Sequence, residues 1–241
     1  MKKLAIIPAR YASSRFPGKP LIDLDGKSMI QRVFEGVLNS NQFDEVVVAT
    51  DDERIASHVK TIGGKAIITK ASHESGTDRC GEVIESFTDF DIVVNIQGDE
   101  PLVDAEQLRV LLKAFEDSAV EIATLGSPKI TSLDIQDANR IKVVVDHQSD
   151  ALYFSRSPIP FERNKENYPF LKHIGLYGFR TKTLSKLVHL APTHLEKTES
   201  LEQLRWMYYG YKIRVIETPI ETPNIDTPED VEIVLKQLRA L

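Results

Sequence analysis

Cysteine is almost absent: the 241-residue chain carries one, Cys80. A single thiol cannot close an internal disulfide, so a reducing, cytoplasmic compartment is expected. No evident base accompanies Cys80 in the sequence, and it reads as a helix-face thiol rather than a nucleophile. No apolar stretch reaches the roughly 18 residues of a membrane span. The apolar run after Met1-Lys-Lys is too short for a signal peptide and is interrupted by Pro8-Ala-Arg10. Surplus positive charge is also missing. Thirty Lys and Arg against 36 Asp and Glu leave a formal net charge of -6, which argues against a general nucleic-acid surface but not against a local basic pocket. Neither the P-loop pattern G-x-x-x-x-G-K-[ST] nor the dinucleotide pattern G-x-G-x-x-G occurs. Repeats, low-complexity segments and interdomain linkers are not apparent either.

What is present is ordinary globular composition, 41% hydrophobic and 27% charged, in an alternating pattern. Leu4–Ile7 is a short apolar run without alternation, as expected of a strand buried on both faces. Helical spacing of Met29, Ile30, Val33, Phe34, Val37 and Leu38 predicts a helix over Ser28–Asn39. Glu45–Thr50 is the next strand, and Thr50-x-x-Glu53 reads as a capping box opening a helix through Val59. Lys65–Thr69 and Asp91–Ile96 are further strands, with helical runs over Arg79–Phe87 and Gln107–Phe115 and another strand at Glu121–Leu125. Strands alternating with helices imply a mostly parallel sheet. Ile141–Val145 and Ala151–Phe154 are closely spaced around a turn, which predicts antiparallel structure beside that sheet. Pro158 and Pro160 bar Ser155–Arg163 from a central strand, and Asn164–Tyr168 is polar and expected to be mobile. A capping box at Thr193-x-x-Glu196 predicts one long helix to about Tyr209. Lys212–Ile216 is a last strand, and Thr227-Pro-Glu-Asp230 opens a last helix.

Chemistry concentrates at strand ends. After the first strand comes Pro8-Ala9-Arg10-Tyr-Ala-Ser13-Ser14-Arg15-Phe-Pro-Gly-Lys19, with three cations within ten residues among hydroxyl donors. In an α/β protein the loop leaving the first parallel strand is a ligand loop, and Arg10, Arg15 and Lys19 suit a polyphosphate; a solvated basic turn is the bland alternative. Gln97-Gly98-Asp99-Glu100-Pro101 follows the strand Asp91–Ile96. Asp99 there suits Mg²⁺ accompanying a nucleoside triphosphate, or else a turn or helix cap. His173 and Tyr177, four apart in an alternating run, share a strand face with Gly175 between them, which suits a ligand floor and equally ordinary edge-strand packing.

Ile7-Pro-Ala-Arg10 with Ser14-Arg15-x-x-x-Lys19-Pro20 resembles the signature loop of bacterial sugar-acid cytidylyltransferases, and more closely that of the CMP-Kdo synthetase (3-deoxy-manno-octulosonate cytidylyltransferase) family. Ala49–Asp52, Ser75–Arg79, Asn95–Pro101, Ala151–Arg156, His173–Tyr177, Leu201–Arg205 and Asp226–Asp230 fit the same family, in its order, over nearly the whole chain. The resemblance implies a single domain over residues 1–241 with a Rossmann-like, glycosyltransferase-A-like sheet flanked by helices and an inserted antiparallel lobe at about 127–180. That lobe would be the contact of a homodimer. The implied reaction moves CMP from CTP to an acid sugar, Kdo, for lipopolysaccharide synthesis; 8-amino-8-deoxy-Kdo, sialic acid, and an inactive nucleotide-binding regulator are the alternatives. Arg10, Arg15, Lys19 and Asp99 would be catalytic, with Pro8, Ala9, Ser13 and Ser14 completing the phosphate loop. Ala71, Ser75, Gly76, Thr77 and Arg79 would read the base. Gln97, Arg156, His173, Tyr177, Glu202 and Gln203 would meet the sugar, and Asp226 would join Asp99 on Mg²⁺. The family more often has Gly-Thr-Gly before this last aspartate; here the residues are Pro223-Asn224-Ile225.

Overall fold

The computed structural model describes residues 1–12, 16–164 and 168–240. The chain forms two compact units, Met1–Arg109 with Thr222–Leu241, and Val110–Glu221. In the first unit β1 (Lys3–Ala9), β2 (Glu45–Thr50), β3 (Lys65–Ile68) and β4 (Ile92–Asn95) form a parallel sheet in the order β3-β2-β1-β4. Leu4–Ile7 and Val47–Ala49 are fully buried, as their unalternating apolar runs predict. The helices α1 (Met29–Asn39), α2 (Glu53–Thr61) and α3 (Gly76–Ile84) are the crossovers, and α4 (Ala105–Lys113) follows β4, the division between units falling inside it. Because the chain steps from β1 out to β3 and returns to β4 on β1's other side, the order reverses between β1 and β4. The carboxyl ends of those two strands therefore flank the crevice in which such sheets bind ligands.

Local chemistry sets the helix starts. Ser28 caps α1, accepting from Gln31 N at 3.2 Å. The expected cap of α2 at Thr50 is not the observed one: Asp52 accepts from Arg54 N at 2.9 Å. Thr50 stays in β2, paired with Ala9 and Ile68 and fully buried, and its ladder bonds keep it from turning into a helix. Ser75 and Asp78 form a reciprocal capping box, so α3 starts earlier than the apolar periodicity implies. A small apolar cluster of Leu24, Met29, Ile225 and Val234, flanked by Phe16, Ile22 and Leu235, ties the turn after Lys19, the head of α1 and the loop before the helix Pro228–Leu238 to one another.

The second unit holds β5 (Ile122–Ser127), α5 (Ser132–Gln136), β6 (Lys142–Val145), β7 (Ala151–Ser155), β8 (Leu171–Arg180), α6 (Thr181–Leu187), α7 (His194–Glu199), α8 (Gln203–Tyr208) and β9 (Arg214–Glu217). β6 and β7 are the antiparallel pair that the sequence predicts. β5 lies between β8, antiparallel, and β9, parallel. The long helix expected from Thr193 to Tyr209 is two short ones. Its capping box forms, but Ser200 adopts φ 50° and ψ 50°, and Leu201, 7% exposed, turns into the core. Burial of that leucine outweighs continuation of the helix. Residues 165–167 of the stretch expected to be mobile lie outside the described residues.

Gly98 shows how tightly the crevice is built: a Cβ there would stand 2.5 Å from the carbonyl oxygen of Pro8. Gly98→Ala must push the ends of β1 and β4 apart, with an expected loss of about 1–3 kcal/mol in urea unfolding together with weakened CTP binding. Wild-type values for both would show that the two strand ends have slack.

Candidate active site

The crevice of the first unit is lined by Pro8, Ala9 and Arg10 from the end of β1, Lys19 from the loop after it, Ser75, Gly76 and Arg79 at the head of α3, Gln97 and Asp99 after β4, and Asp226. These are sequence-predicted positions, and the fold brings them together. Ser13, Ser14 and Arg15 lie outside the described residues. The predicted Ala71 and Thr77 do not line the crevice; Ala71 is exposed and Thr77 is buried in α3. Met29, His73 and Glu74 do line it and are not among the predicted residues. His73 and Glu74 fall inside the loop read as base recognition, a signal that points to them; Met29 carries none, being one of several apolar residues on α1's buried face.

Lys19 follows Gly18, whose φ of 74° places it in the left-handed region, and a Cβ on Gly18 would meet Tyr11 Oη at 3.1 Å. Tyr11 in turn lies under the Arg54 guanidinium, 3.3 Å from ring centroid to Cζ, while Asp52 holds Arg54 through both carboxylate oxygens. Lys19 Nζ donates to Asp99 Oδ2 at 2.8 Å and to the carbonyl of Ile225 at 2.6 Å, and lies 3.8 Å from Asp226 Oδ1. The backbone brings these carboxylates together, because Ile225 N donates to Asp99 O at 2.9 Å and Asp226 N to Asp230 Oδ2 at 2.9 Å. Among the described residues no three His, Cys, Asp or Glu side chains gather to hold a metal by themselves. Two carboxylates that already share one cation do fit Mg²⁺, which takes one or two carboxylates and completes its shell with phosphate and water. Glu100 beside them is pushed up to about 8, by desolvation first and by the Asp99 charge second, against a 3.3 Å hydrogen bond from Thr222 Oγ1. Protonated Glu100 adds no third negative charge at neutral pH.

Arg79 is 3% exposed and fixed, its guanidinium bonded to Thr69 Oγ1 and, at 3.2 Å, to Asp51 Oδ2. Its role in the crevice is therefore that of a rigid wall. Ser75 and Gly76 bring the head of α3 to the crevice, and the positive end of a helix favours negative or acceptor groups on a ligand. A Cβ on Gly76 would make only ordinary contacts, 3.4 Å with Pro8 Cγ and 3.5 Å with Asn95 Nδ2, so packing does not require glycine at this position. His73 bonds Glu82, which also accepts from Lys70 N, so the predicted base loop is pinned to α3.

The remaining sugar candidates lie in the second unit. Arg156 gives its guanidinium to the carbonyls of Glu199, Ala138 and Ser200 at 2.6, 3.0 and 3.3 Å, and its backbone N–H to Glu199 Oε2. His173 and Tyr177 do stand side by side, ring centroids 5.3 Å apart, but among Phe154, Phe179 and Trp206 rather than on an open floor. Thr124 has one hydroxyl proton and carbonyls of Ile174 and Leu176 within 3.1 and 2.9 Å, so it accepts from His173 Nε2–H at 3.0 Å. That consumes the donor the sequence reading offered to a ligand. Desolvation pushes His173 down to about 3 and Tyr177 well above its usual range, the Glu202 charge adding to the latter. Tyr177 Oη and Asn95 Oδ1 are the buried side-chain polar atoms without a hydrogen-bond partner among the described residues. Gln203 is buried at the start of α8, with Glu202 half-buried before it.

A family model described as Cytidylyltransferase matches residues 4–213. The 3-deoxy-manno-octulosonate cytidylyltransferase of Bacteroides thetaiotaomicron is 49% identical over 242 residues, covering 96% of this chain and 96% of that protein. The protein of the same name from Phocaeicola vulgatus is 50% identical over 250 residues, with 98% of each covered. Among solved structures, that of CMP:2-keto-3-deoxy-manno-octonic acid synthetase complexed with CTP superimposes with a TM-score of 0.95 at 45% identity, covering 100% of this chain and 99% of that one.

The low basicity of His173 has a measurable consequence. Below pH 6.5 an unfolded histidine takes up a proton that the folded one refuses until about pH 3. Stability tied to this ring is thus present above pH 6.5 and lost as pH falls toward 3, at up to about 1.4 kcal/mol per pH unit. His173→Asn should cost stability at pH 7 and progressively less at pH 6, 5 and 4 by urea unfolding. A difference from wild type that stays constant with pH would mean the ring is not held neutral.

Proposed function

The chain belongs to the cytidylyltransferase family, and on that basis we infer that it transfers CMP from CTP to 3-deoxy-D-manno-octulosonate (Kdo), releasing pyrophosphate. The observation that carries the site assignment is the meeting of Asp99 and Asp226 on one ammonium at the carboxyl ends of β1 and β4, beside Arg10. The anomeric hydroxyl of the sugar attacks the α-phosphorus in line, the new O–P bond forms as the bond to pyrophosphate breaks, and the hydroxyl proton passes to solvent. Negative charge grows on the phosphate oxygens, where Arg10 and Lys19 offer positive charge without a general base. Mg²⁺ held by Asp99 and Asp226 would supply further neutralisation of the triphosphate.

Cytosine has an exocyclic amine and ring acceptors. The loop from Ala71 to Arg79, pinned by His73–Glu82 and capped by Ser75–Asp78, is our candidate for reading that edge. For the sugar, Tyr177 is the favoured contact of the second unit, since its hydroxyl is buried without a well-formed hydrogen bond, with Glu202 and Gln203 as further candidates there; Gln97 is the candidate of the first unit, where it lines the crevice. Arg156 and His173 support it from behind, with their donors engaged by protein. Leu133, Leu152 and Phe161, 84%, 60% and 87% exposed, support a homodimer through the second unit. The single buried Cys80 fits a cytoplasmic setting.

Pyrophosphate release with CTP should be fastest in kcat/KM with Kdo in a panel including 8-amino-8-deoxy-Kdo and sialic acid. UTP, which presents an acceptor where CTP presents a donor, should be disfavoured by about 1–3 kcal/mol. A higher kcat/KM with either other sugar would reassign the substrate. Asp99→Asn or Asp226→Asn should lower kcat/KM by about a hundredfold or more with an unchanged melting temperature. Near-normal turnover of Asp99→Asn at limiting Mg²⁺ would remove the metal from this pair.

A further inference from the structure

Lys19 stands where a divalent cation would have to stand. Its ammonium has three N–H donors and meets three acceptors, Asp99 Oδ2, Ile225 O and, more distantly, Asp226 Oδ1. Its side chain is 12% exposed. In this position two of its three donors are taken by protein oxygens, and its charge faces a second carboxylate at 3.8 Å. The two aspartates do not depend on Lys19 for their placement, because the Ile225 N to Asp99 O bond, the Asp226 N to Asp230 bond and the cluster of Leu24, Met29, Ile225 and Val234 fix their backbones. A pair of carboxylates set by backbone needs a counter-charge whether or not substrate is present. The lysine backbone is equally fixed, by Gly18 N to Tyr11 O at 2.9 Å and Leu21 N to Gly18 O at 2.9 Å, so what can move is the four-carbon stem.

We propose that Lys19 is the protein's own counter-ion for this carboxylate pair: it competes with a divalent cation for Asp99 and Asp226, and is released to the triphosphate when that cation binds. The proposal rests on the assignment of Asp99 and Asp226 as metal ligands. With the ammonium in place, two carboxylate charges are reduced to a net charge of minus one, and a bare metal ion meets oxygens already taken. A dication on those oxygens repels the ammonium, and a triphosphate attracts it. Lysine serves the aspartates or the phosphate, not both, so metal and triphosphate each favour the other's binding through this one side chain, reciprocally. Lysine suits the exchange better than arginine, whose planar fork would clamp a carboxylate in two bonds.

The test uses the full chain without nucleotide, with Mn²⁺ as the probe in a paramagnetic-resonance titration. Lys19→Met should bind Mn²⁺ about five- to a hundredfold more tightly than wild type, the size of an ordinary coupling between sites. Adding Asp99→Asn to Lys19→Met should abolish the gain. Equal affinity in wild type and Lys19→Met, both dependent on Asp99, would overturn the counter-ion role and leave the metal assignment standing. Mn²⁺ binding independent of Asp99 in every variant would overturn both. Weaker binding by Lys19→Met would also overturn the proposal. The wild type provides a measurement that needs no mutant to fold: a lysine ammonium resonance protected from solvent exchange in the metal-free protein should lose its protection on adding Mg²⁺. If every protected ammonium signal survives saturating Mg²⁺, Lys19 does not give way.

Discussion

Two like charges held close by the backbone are the constraint around which the first unit is arranged. Asp99 and Asp226 come from distant parts of the sequence, and a single backbone hydrogen bond, Ile225 N to Asp99 O, ties their segments. Left unpaired at partial burial, the two carboxylates would repel each other and lose hydration together. The fold answers with a cation from a third segment and with Glu100 kept protonated beside them. Each response is local, but each needs the sheet order to have placed the ends of β1 and β4 side by side. Gly98, with no room for a Cβ against Pro8, is the point at which those two ends touch.

The apolar cluster of Leu24, Met29, Ile225 and Val234 does a different job from the sheet core. It gathers no strand. It anchors the turn after Lys19 and the loop bearing Asp226 against the head of α1, so cation and carboxylate approach on surfaces that hydrophobic burial holds in place. This accounts for the unusual Pro223-Asn224-Ile225 before the aspartate: Ile225 is fully buried in the cluster, and Asn224 Nδ2 donates to Asp226 Oδ2 at 3.1 Å. Where glycines would leave the loop supple, burial of Ile225 and that amide give it a fixed shape.

Much of this was legible in the residues, and the illegible part has physical reasons. Unalternating apolar runs announced the buried strands, and the capping box read at Thr193-x-x-Glu196 forms, whereas the one between Ser75 and Asp78 went unread and left the start of α3 too late. Thr50 misled because a capping pattern is local, whereas its ladder bonds to Ala9 and Ile68 are not. The helix after Thr193 breaks at Ser200 for a tertiary reason, the burial of Leu201, that no periodicity records. At the site, the residues pointed to Arg10, Lys19 and Asp99 and the family resemblance to Asp226; the fold brings all four to one crevice, but which of them pair was not legible, because partnership depends on rotamers. Arg156 and His173 show the same limit. Both are donor-rich by type, yet the carbonyls of Glu199, Ala138 and Ser200 and the hydroxyl of Thr124 have engaged them. Only the folded chain shows that Tyr177 Oη is buried beside Thr124 without a well-formed hydrogen bond.

Two of the cations that line the crevice, Arg79 and Lys19, divide along the physical difference between their side chains. Arg79 is buried, planar and bonded to Asp51 and Thr69, so its charge is a fixed part of the wall. A guanidinium in that setting loses little freedom when a ligand arrives, which suits recognition of one base over another. Lys19 is a point charge on a flexible stem, hydrogen-bonded to Asp99 Oδ2 and Ile225 O with Asp226 Oδ1 3.8 Å away. A side chain in that setting can exchange one set of oxygens for another at little net change in bonding, whereas the Arg79 guanidinium can move only by giving up its bonds to Asp51 and Thr69 inside the protein.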